Sequence, residues 1–546
     1  YRDYVIGAFN DDKPYDLFIR EQIAGDELAE REWAAAETLS DAARQAVVAT
    51  GFHRLHVWDD EPDSTAAAEY DDLDDVLSTA TTAFLGLTVG CARCHDHKYD
   101  PLAQRDYYAL LGFIRSIDGY GLQHRGGGGR GTGKITRPLA TRRELARWEE
   151  SKAARVRELE ARLAKAVPDA KSARDALAAE MQRARDMAPP FDHALVVAEN
   201  GPNPSPTRIL LRGDVGSPGE PVTPAFPGVF GSQAPMLEAR PPNARTTGLR
   251  TQLADWIASP ANPLTPRVIA NRVWQHHFGR GLVPTPDDMG RTGEPPTHPQ
   301  ILDYLASELV SGGWSLKRLH RVIMTSRAYR MSSRALPGPG LADDESNALL
   351  WRQNPRRLEA EAVRDTWLAV SGSLNLARGG PSVYPTLPPE VHTTQDSAGK
   401  GWQDSPVDEQ NRRSVYLVVK RALKVPLLEC LDFANSTSAQ GERPVTTVAP
   451  QALMLLNDPF ARARARAFAA RLAREAGPGD DARIRLAFRL AVQRPPTESE
   501  VGAARRLLAA QRAEVSEGPA REDAGHDAWE SLCRAILNLN EVVHVD

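Results

Sequence analysis

Residues 71–87 read Asp-Asp-Leu-Asp-Asp-Val-Leu-Ser-Thr-Ala-Thr-Thr-Ala-Phe-Leu-Gly-Leu, and their spacing decides the fold class. Leu73, Val76, Leu77, Ala80, Phe84 and Leu87 recur at intervals of three and four, the period of an amphipathic helix. Asp71, Asp72, Asp74 and Asp75 fall in its first turns, where carboxylates suit the helix dipole. Working upstream, Pro14 to Ile23 suggests a short helix and Asp41 to Gly51 another that ends on glycine. Downstream, Gly90 leads into a cysteine motif and Pro101 closes the segment. Tyr107, Tyr108 and Phe113 follow, either as rings walling a cofactor or as core. Residues 1–122 therefore read as a helical domain.

The motif is Cys91-Ala92-Arg93-Cys94-His95. Two thiols three apart, followed at once by an imidazole, is the spacing that attaches c-type haem: each thiol adds to a vinyl group and His95 ligates the iron. Independent placement of four cysteines and 13 histidines in 546 residues yields about 0.0007 such motifs. A local disulfide or redox pair is one alternative. A zinc site using Cys91, Cys94, His95 or His97 is another, although no second CxxC or HxxxH pair supplies the remaining ligands.

Composition bounds the rest. A chain of 546 residues is long enough for several domains. Hydrophobic residues make up 41%, charged residues 25%, and the net charge is −5, which argues against general disorder and against nucleic acid as a partner. No apolar stretch approaches the roughly 20 residues that span a bilayer. Tyr1-Arg2-Asp3-Tyr4 is not a signal peptide, so a mature form or a piece of a longer precursor is expected. Cys430 and Cys533 read as buried small hydrophobes, with a disulfide between them as the alternative.

Further along, residues 123–140 form a Gly-rich linker. Its Gly128 to Lys134 faintly resembles a phosphate loop but has Ile135 where Ser or Thr would hold magnesium. Residues 141–189, rich in Ala, Arg and Glu, read as a helical hairpin or coiled segment interrupted at Pro168. Residues 190–246 read as a small β module with strands at Ala194–Val197 and Arg208–Leu211, and Arg212-Gly213-Asp214 as a turn. Residues 247–546 return to helices. The expected class is mainly α and multidomain: helical N- and C-terminal domains with the hairpin and the β module between them. In the last domain Thr265 reads as an N-cap and Pro266 as the first helical residue of a helix ended by Gly279. Arg272 and His276 lie one turn apart on it, so a polar strip could face a site shared with Asp287, Asp288, Glu294 and His298. A salt-bridged capping network is the alternative. Asn354 to Glu361 is expected to open another helix.

Several strings together resemble the planctomycete cytochrome-associated two-domain family, whose halves are paired domains of unknown function. The first half is carried by Asp16-Leu17-Phe18-Ile19-Arg20-Glu21-Gln22-Ile23-Ala24-Gly25-Asp26 and by Phe84 through Pro101. The second is carried by Asn271 through Val283, Gly293-Glu294-Pro295-Pro296-Thr297-His298-Pro299 and Asn354 through Glu361. The resemblance implies an extracytoplasmic protein, periplasmic or at the cell surface, that works with a redox partner protein or a cytochrome domain. It implies no reaction. Asp96, His97 and Asp100 recur beside the cysteines in it, which keeps open a loop metal site or a structural role.

If haem is attached, the sixth position must be filled or left open. The seven methionines all lie at Met181 or later, outside residues 1–122. A histidine or an open position follows, with His53, His56, His276 and His277 as candidates. The reading is electron transfer linked to oxidation of a substrate, with a carbohydrate as the candidate. The rival reading is a haem-free binding or scaffold protein whose cysteine loop is a metal site or a structural disulfide. A hydrolase is disfavoured, since neither a GxSxG nor a HExxH signature is present.

Overall fold

In the computed structural model the helix expected from Asp71 starts six residues earlier, at Thr65, because Ser64 caps it: its hydroxyl oxygen accepts the Ala67 N–H at 3.3 Å. The acidic residues therefore lie in the helix interior and are not dipole partners. Asp71 and Asp74 pair with Arg93 at 2.6 and 3.6 Å, and Asp72 lies 3.2 Å from His56 Nε2. The helix ends at Leu85, and Gly86 follows in the left-handed region at φ +61°, a conformation natural to glycine.

The structure describes residues 1–57, 62–118, 136–165, 171–199, 201–231, 235, 240–334, 344–393, 401–477, 479–516 and 524–545. The Gly128–Lys134 stretch and most of the expected linker lie outside them. Two compact units emerge, one formed by residues 1–275 with 280–323 and the other by 276–279 with 324–546. The first thus takes in residues assigned from sequence to a C-terminal domain starting at 247. The molecule is mainly α and multidomain.

Twelve helices are described in or at the end of the first unit: α1 Arg2–Asn10, α2 Tyr15–Leu28, α3 Glu30–Ala35, α4 Asp41–Ala49, α5 Thr65–Leu85, α6 Gln104–Leu111, α7 Arg142–Lys165, α8 Lys171–Asp186, α9 Leu249–Ile257, α10 Thr265–Phe278, α11 Pro299–Ser311 and α12 Leu316–Met324. Helices α7 and α8 pack on each other as the expected hairpin. The β module is two separate antiparallel pairs. Strand β1, Thr136–Pro138, pairs with β2, His193–Leu195, and β3, Thr207–Leu210, pairs with β4, Pro218–Val222. Arg212-Gly213 lies in a tight turn, and the Asp214 carboxylate accepts from the Gly216 N–H and the Ser217 hydroxyl. At α10 the capping oxygen belongs to Asn262, which accepts the N–H groups of Leu264 and Thr265. The Thr265 hydroxyl instead donates to the Ile257 carbonyl.

In the second unit Trp367, fully buried on the helix Ala360–Val370, donates its indole N–H to the Leu537 carbonyl at 3.2 Å. The helices Pro459–Glu475 and Ala524–Leu537 pack together beside it. Asn354 to Glu361 does not open directly into helix. Arg356–Arg357 is a strand, β5, paired with β6, His544–Val545, and the helix begins only at Ala360. Cys430 and Cys533 are free, and Cys533 is fully buried.

Helix α2 is the hub of the first unit, packed on α4 and α9. At its C-terminal end sits Arg250, with no exposed surface. The guanidinium donates to Asp26 through both Nη atoms (2.6 and 2.9 Å), to Glu199 through Nε (2.6 Å) and to the Ile23 carbonyl (3.2 Å). Glu27 lies 3.4 Å from the same guanidinium, and its other oxygen accepts the N–H and hydroxyl of Thr251. Three buried acids around one arginine cannot all be ionised cheaply. Burial pushes Glu27 up to about 7; Arg250 opposes this, and Glu199 and Asp26 add to it. For Asp26 burial also acts upward, but the paired Arg250 overrides it and holds the carboxyl below its usual range.

Two outcomes follow. Glu27 is raised, so the folded chain keeps a proton that the unfolded chain releases above its ordinary 4.5. This share of stability is full below about 4.5 and is lost as pH rises through about 7. Glu27→Gln should flatten the pH dependence of urea unfolding between those limits, and an unchanged slope would contradict the assignment. Arg250→Met, which strands the acids, should lose about 3–5 kcal/mol.

Candidate functional site

The cysteine motif begins in a 3-10 turn, Val89–Arg93, that packs on α5 and α6. Its footing is specific. The Cys91 N–H donates to the Thr88 carbonyl at 3.2 Å. The Arg93 carbonyl accepts from the Gln104 amide at 2.9 Å and the Tyr108 hydroxyl at 3.0 Å, and both donors also reach the Leu210 carbonyl on β3. Arg93 is anchored by Asp71 and Asp74, and Asp74 accepts the Tyr107 hydroxyl at 2.6 Å. The turn is thereby clamped between two helices and one strand.

On this footing Cys91 and Cys94 are free and exposed, and His95 is exposed with them. The His95 ring places Nδ1 2.6 Å from the Asp96 carbonyl. A carbonyl only accepts, so Nδ1 carries the proton and Nε2 is left with its lone pair, the tautomer of an axial imidazole ligand. Two free thiols and one imidazole in this state fit the donor set of c-type haem.

The neighbouring residues are engaged otherwise. His97, with 4% of its side chain exposed, accepts the Asp100 N–H (2.8 Å) and the Tyr99 N–H (3.3 Å) on Nδ1. It therefore donates from Nε2 to the Thr88 hydroxyl at 3.3 Å. Asp96 accepts the Gln104 N–H at 2.8 Å, and buried Asp100 accepts the Arg291 N–H at 2.7 Å. These three residues brace the loop. No cluster of three metal-ligating side chains occurs among the described residues. The aromatic residues after Pro101 are core. Tyr107 and Tyr108 meet edge to face at 4.9 Å, and Phe113 stacks on Phe226, which stacks on Trp256.

The histidines proposed for the sixth position fare differently. His53 is buried, its Nε2 bonds the Ile23 carbonyl at 2.9 Å, and burial with Arg250 holds it down at about 3, hence neutral. His56 is buried between the His53 carbonyl and Asp72. His276 and His277 belong to the second unit, where the His277 ring meets Tyr329 edge-on at 5.3 Å.

The polar strip of α10 is joined in part. Arg272 pairs with Asp287 at 3.1 Å and donates to the Thr82 carbonyl at the end of α5. Asp288 folds the following turn, accepting from the Gly290 N–H and the Thr292 hydroxyl. Glu294 pairs with Arg280 at 3.4 Å, and His298 Nδ1 lies beside the Thr297 hydroxyl at 3.1 Å. These contacts brace the loop. Sequence reasoning missed the loop's target. The Met289 N–H donates to the Gly86 carbonyl at 2.8 Å, and a Cβ on Gly290 would lie 2.5 Å from Asp100 Oδ2.

That close approach has a measurable consequence. Gly290→Ala should push the Asp100 carboxylate away, lowering stability by about 1–3 kcal/mol and speeding amide exchange at Arg291. An unaltered exchange rate would contradict the contact.

Residues 1–119 match the family model described as PSCyt2, protein of unknown function (DUF1549), and residues 249–508 match PSD1, protein of unknown function (DUF1553). The two in this order are the paired arrangement typical of planctomycete proteins. No curated protein and no solved structure matches the chain. No described helix is long and apolar enough to cross a membrane.

Proposed function

We propose that this chain is a c-type haem protein that passes single electrons between protein partners outside the cytoplasm. The observation that carries the reading is the state of the motif: free thiols of Cys91 and Cys94 and an imidazole of His95 with its Nε2 lone pair available, all exposed on one clamped turn. In attachment, each thiol forms a carbon–sulfur bond to one vinyl carbon while its proton goes to the other, so no oxidant is required. When bound, haem supplies one-electron chemistry between ferric and ferrous iron. His95 would ligate the iron, the Asp96 carbonyl would keep its ring in the required tautomer, and the anchors on Arg93 would hold the turn still.

Exposure of Cys91, Cys94 and His95 suits exchange with a partner surface better than turnover of a small molecule in a closed pocket. Oxidation of a carbohydrate stays outside this proposal, because Asp287, Asp288 and Glu294 are engaged in ion pairs and loop bonds. The extracytoplasmic setting rests on the paired-family arrangement. The test is an alkaline pyridine haemochrome spectrum of the full chain, made in an export host with cytochrome c maturation. A covalent haem signal is expected in the intact protein and none in Cys91→Ala/Cys94→Ala. An intact protein without signal would overturn the proposal and favour the scaffold reading, with Cys91 and Cys94 as a dithiol, a disulfide or a metal pair.

A further inference from the structure

The second unit carries a cleft of about 440 Å³, taken out to its mouth, lined by the segment 417–420, the short helix Pro426–Cys430 and residues that follow it. That volume falls within the roughly 300–1,000 Å³ of small-molecule sites. The floor is apolar, made by the buried Leu417, Leu423 and Leu428. It is also held from behind. Leu423 packs with Leu387 and Trp402, and Val418 and Val425 pack on the same cluster. Main-chain bonds fix the segment as well: the Val383 N–H donates to the Tyr416 carbonyl at 2.8 Å, and the Val418 N–H donates to the Val383 carbonyl at 2.9 Å.

The rim is charged. Lys420 and Lys424 line the cleft, and Arg421 donates from Nε to the carbonyl of Ser436, another lining residue, at 2.8 Å. Among the described residues that line it, Glu429 is the one carboxylate, 3.0 Å from Lys424, and about half of each of these two side chains is exposed. Three cations against one anion leave two positive charges in excess. We propose that this cleft binds a small amphiphilic anion, a free carboxylate on a single saturated acyl chain, with the chain on the leucine floor and the carboxylate among the rim cations. The chain leaves water there, which tightens binding by roughly a factor of four for each methylene buried. The carboxylate stays partly hydrated beside the cations and so avoids the cost of burying a charge. A cationic head on the same chain would meet like charge at the rim.

Decanoate titrated calorimetrically into the full chain, below its micellar range, tests this. It should bind at one site, about tenfold more tightly than octanoate, and decyltrimethylammonium should bind more weakly than decanoate. Ala434→Phe, which places a ring in the cleft, should abolish binding. Lys420→Glu/Lys424→Glu, at the rim, should reverse the preference between decanoate and the ammonium. The two variants act on different parts of the site, so a failure of the first to fold leaves the second decisive. Absence of decanoate binding, equal binding of the two head groups, or binding untouched by both variants would overturn the proposal. A concentration-dependent dimer of the chain that Ala434→Phe dissociates would overturn it too, since a second copy would then be the occupant.

Discussion

The first unit depends on the burial of Arg250. A guanidinium without exposed surface is tolerable only if its fork of donors is met by acceptors. Here Asp26 takes the two Nη atoms, Glu199 takes Nε, and the Ile23 carbonyl takes a further bond. These partners come from α2 and from the segment after β2, and Arg250 itself lies in the first turn of α9. One side chain therefore sets the distances among three parts of the chain that are remote in sequence. The cysteine turn inherits its surroundings from that arrangement, because α9 is followed by α10 and by the loop that reaches Gly86 and Asp100.

Much of this was legible in the residues. The three-and-four spacing of Leu73 to Leu87 marks α5, and the hairpin of α7 and α8 shows in its Ala, Arg and Glu content. What was illegible is instructive. Ser64 captured the helix start because a capping hydroxyl outweighs a favourable dipole position, and the acids became anchors for Arg93. The ion cluster was hidden for a different reason. Asp26, Glu27, Glu199 and Arg250 look like ordinary surface charges until the fold brings them together, and an acidic pair directly after Ile23-Ala24-Gly25 is a faint signal.

The site shows the same split. Cys91, Cys94 and His95 announce themselves through spacing, whereas the roles of Asp96, His97 and Asp100 emerge only from which backbone groups they meet. All three resemble ligands in a list of residue types, yet each is engaged by an N–H or a hydroxyl nearby. For the loop at residues 285–294 the residue types allow either a polar site or a salt-bridged capping network. It meets the cysteine loop at Gly86 and Asp100 through main-chain N–H groups. Such contacts leave almost no mark in side-chain identity.

The placement of Arg250 bears on the order in which the protein can be made. As the chain emerges during synthesis, Asp26 and Glu27 appear long before the cation that lets them be buried, and Asp100 appears long before the N–H of Arg291. Domains tend to fold as units, N-terminal part first, but the buried cluster of this unit cannot form before Arg250 has been made. Until then the cysteine loop has its anchors from α5, α6 and β3 but lacks the contacts that residues 289–291 make with Gly86 and Asp100.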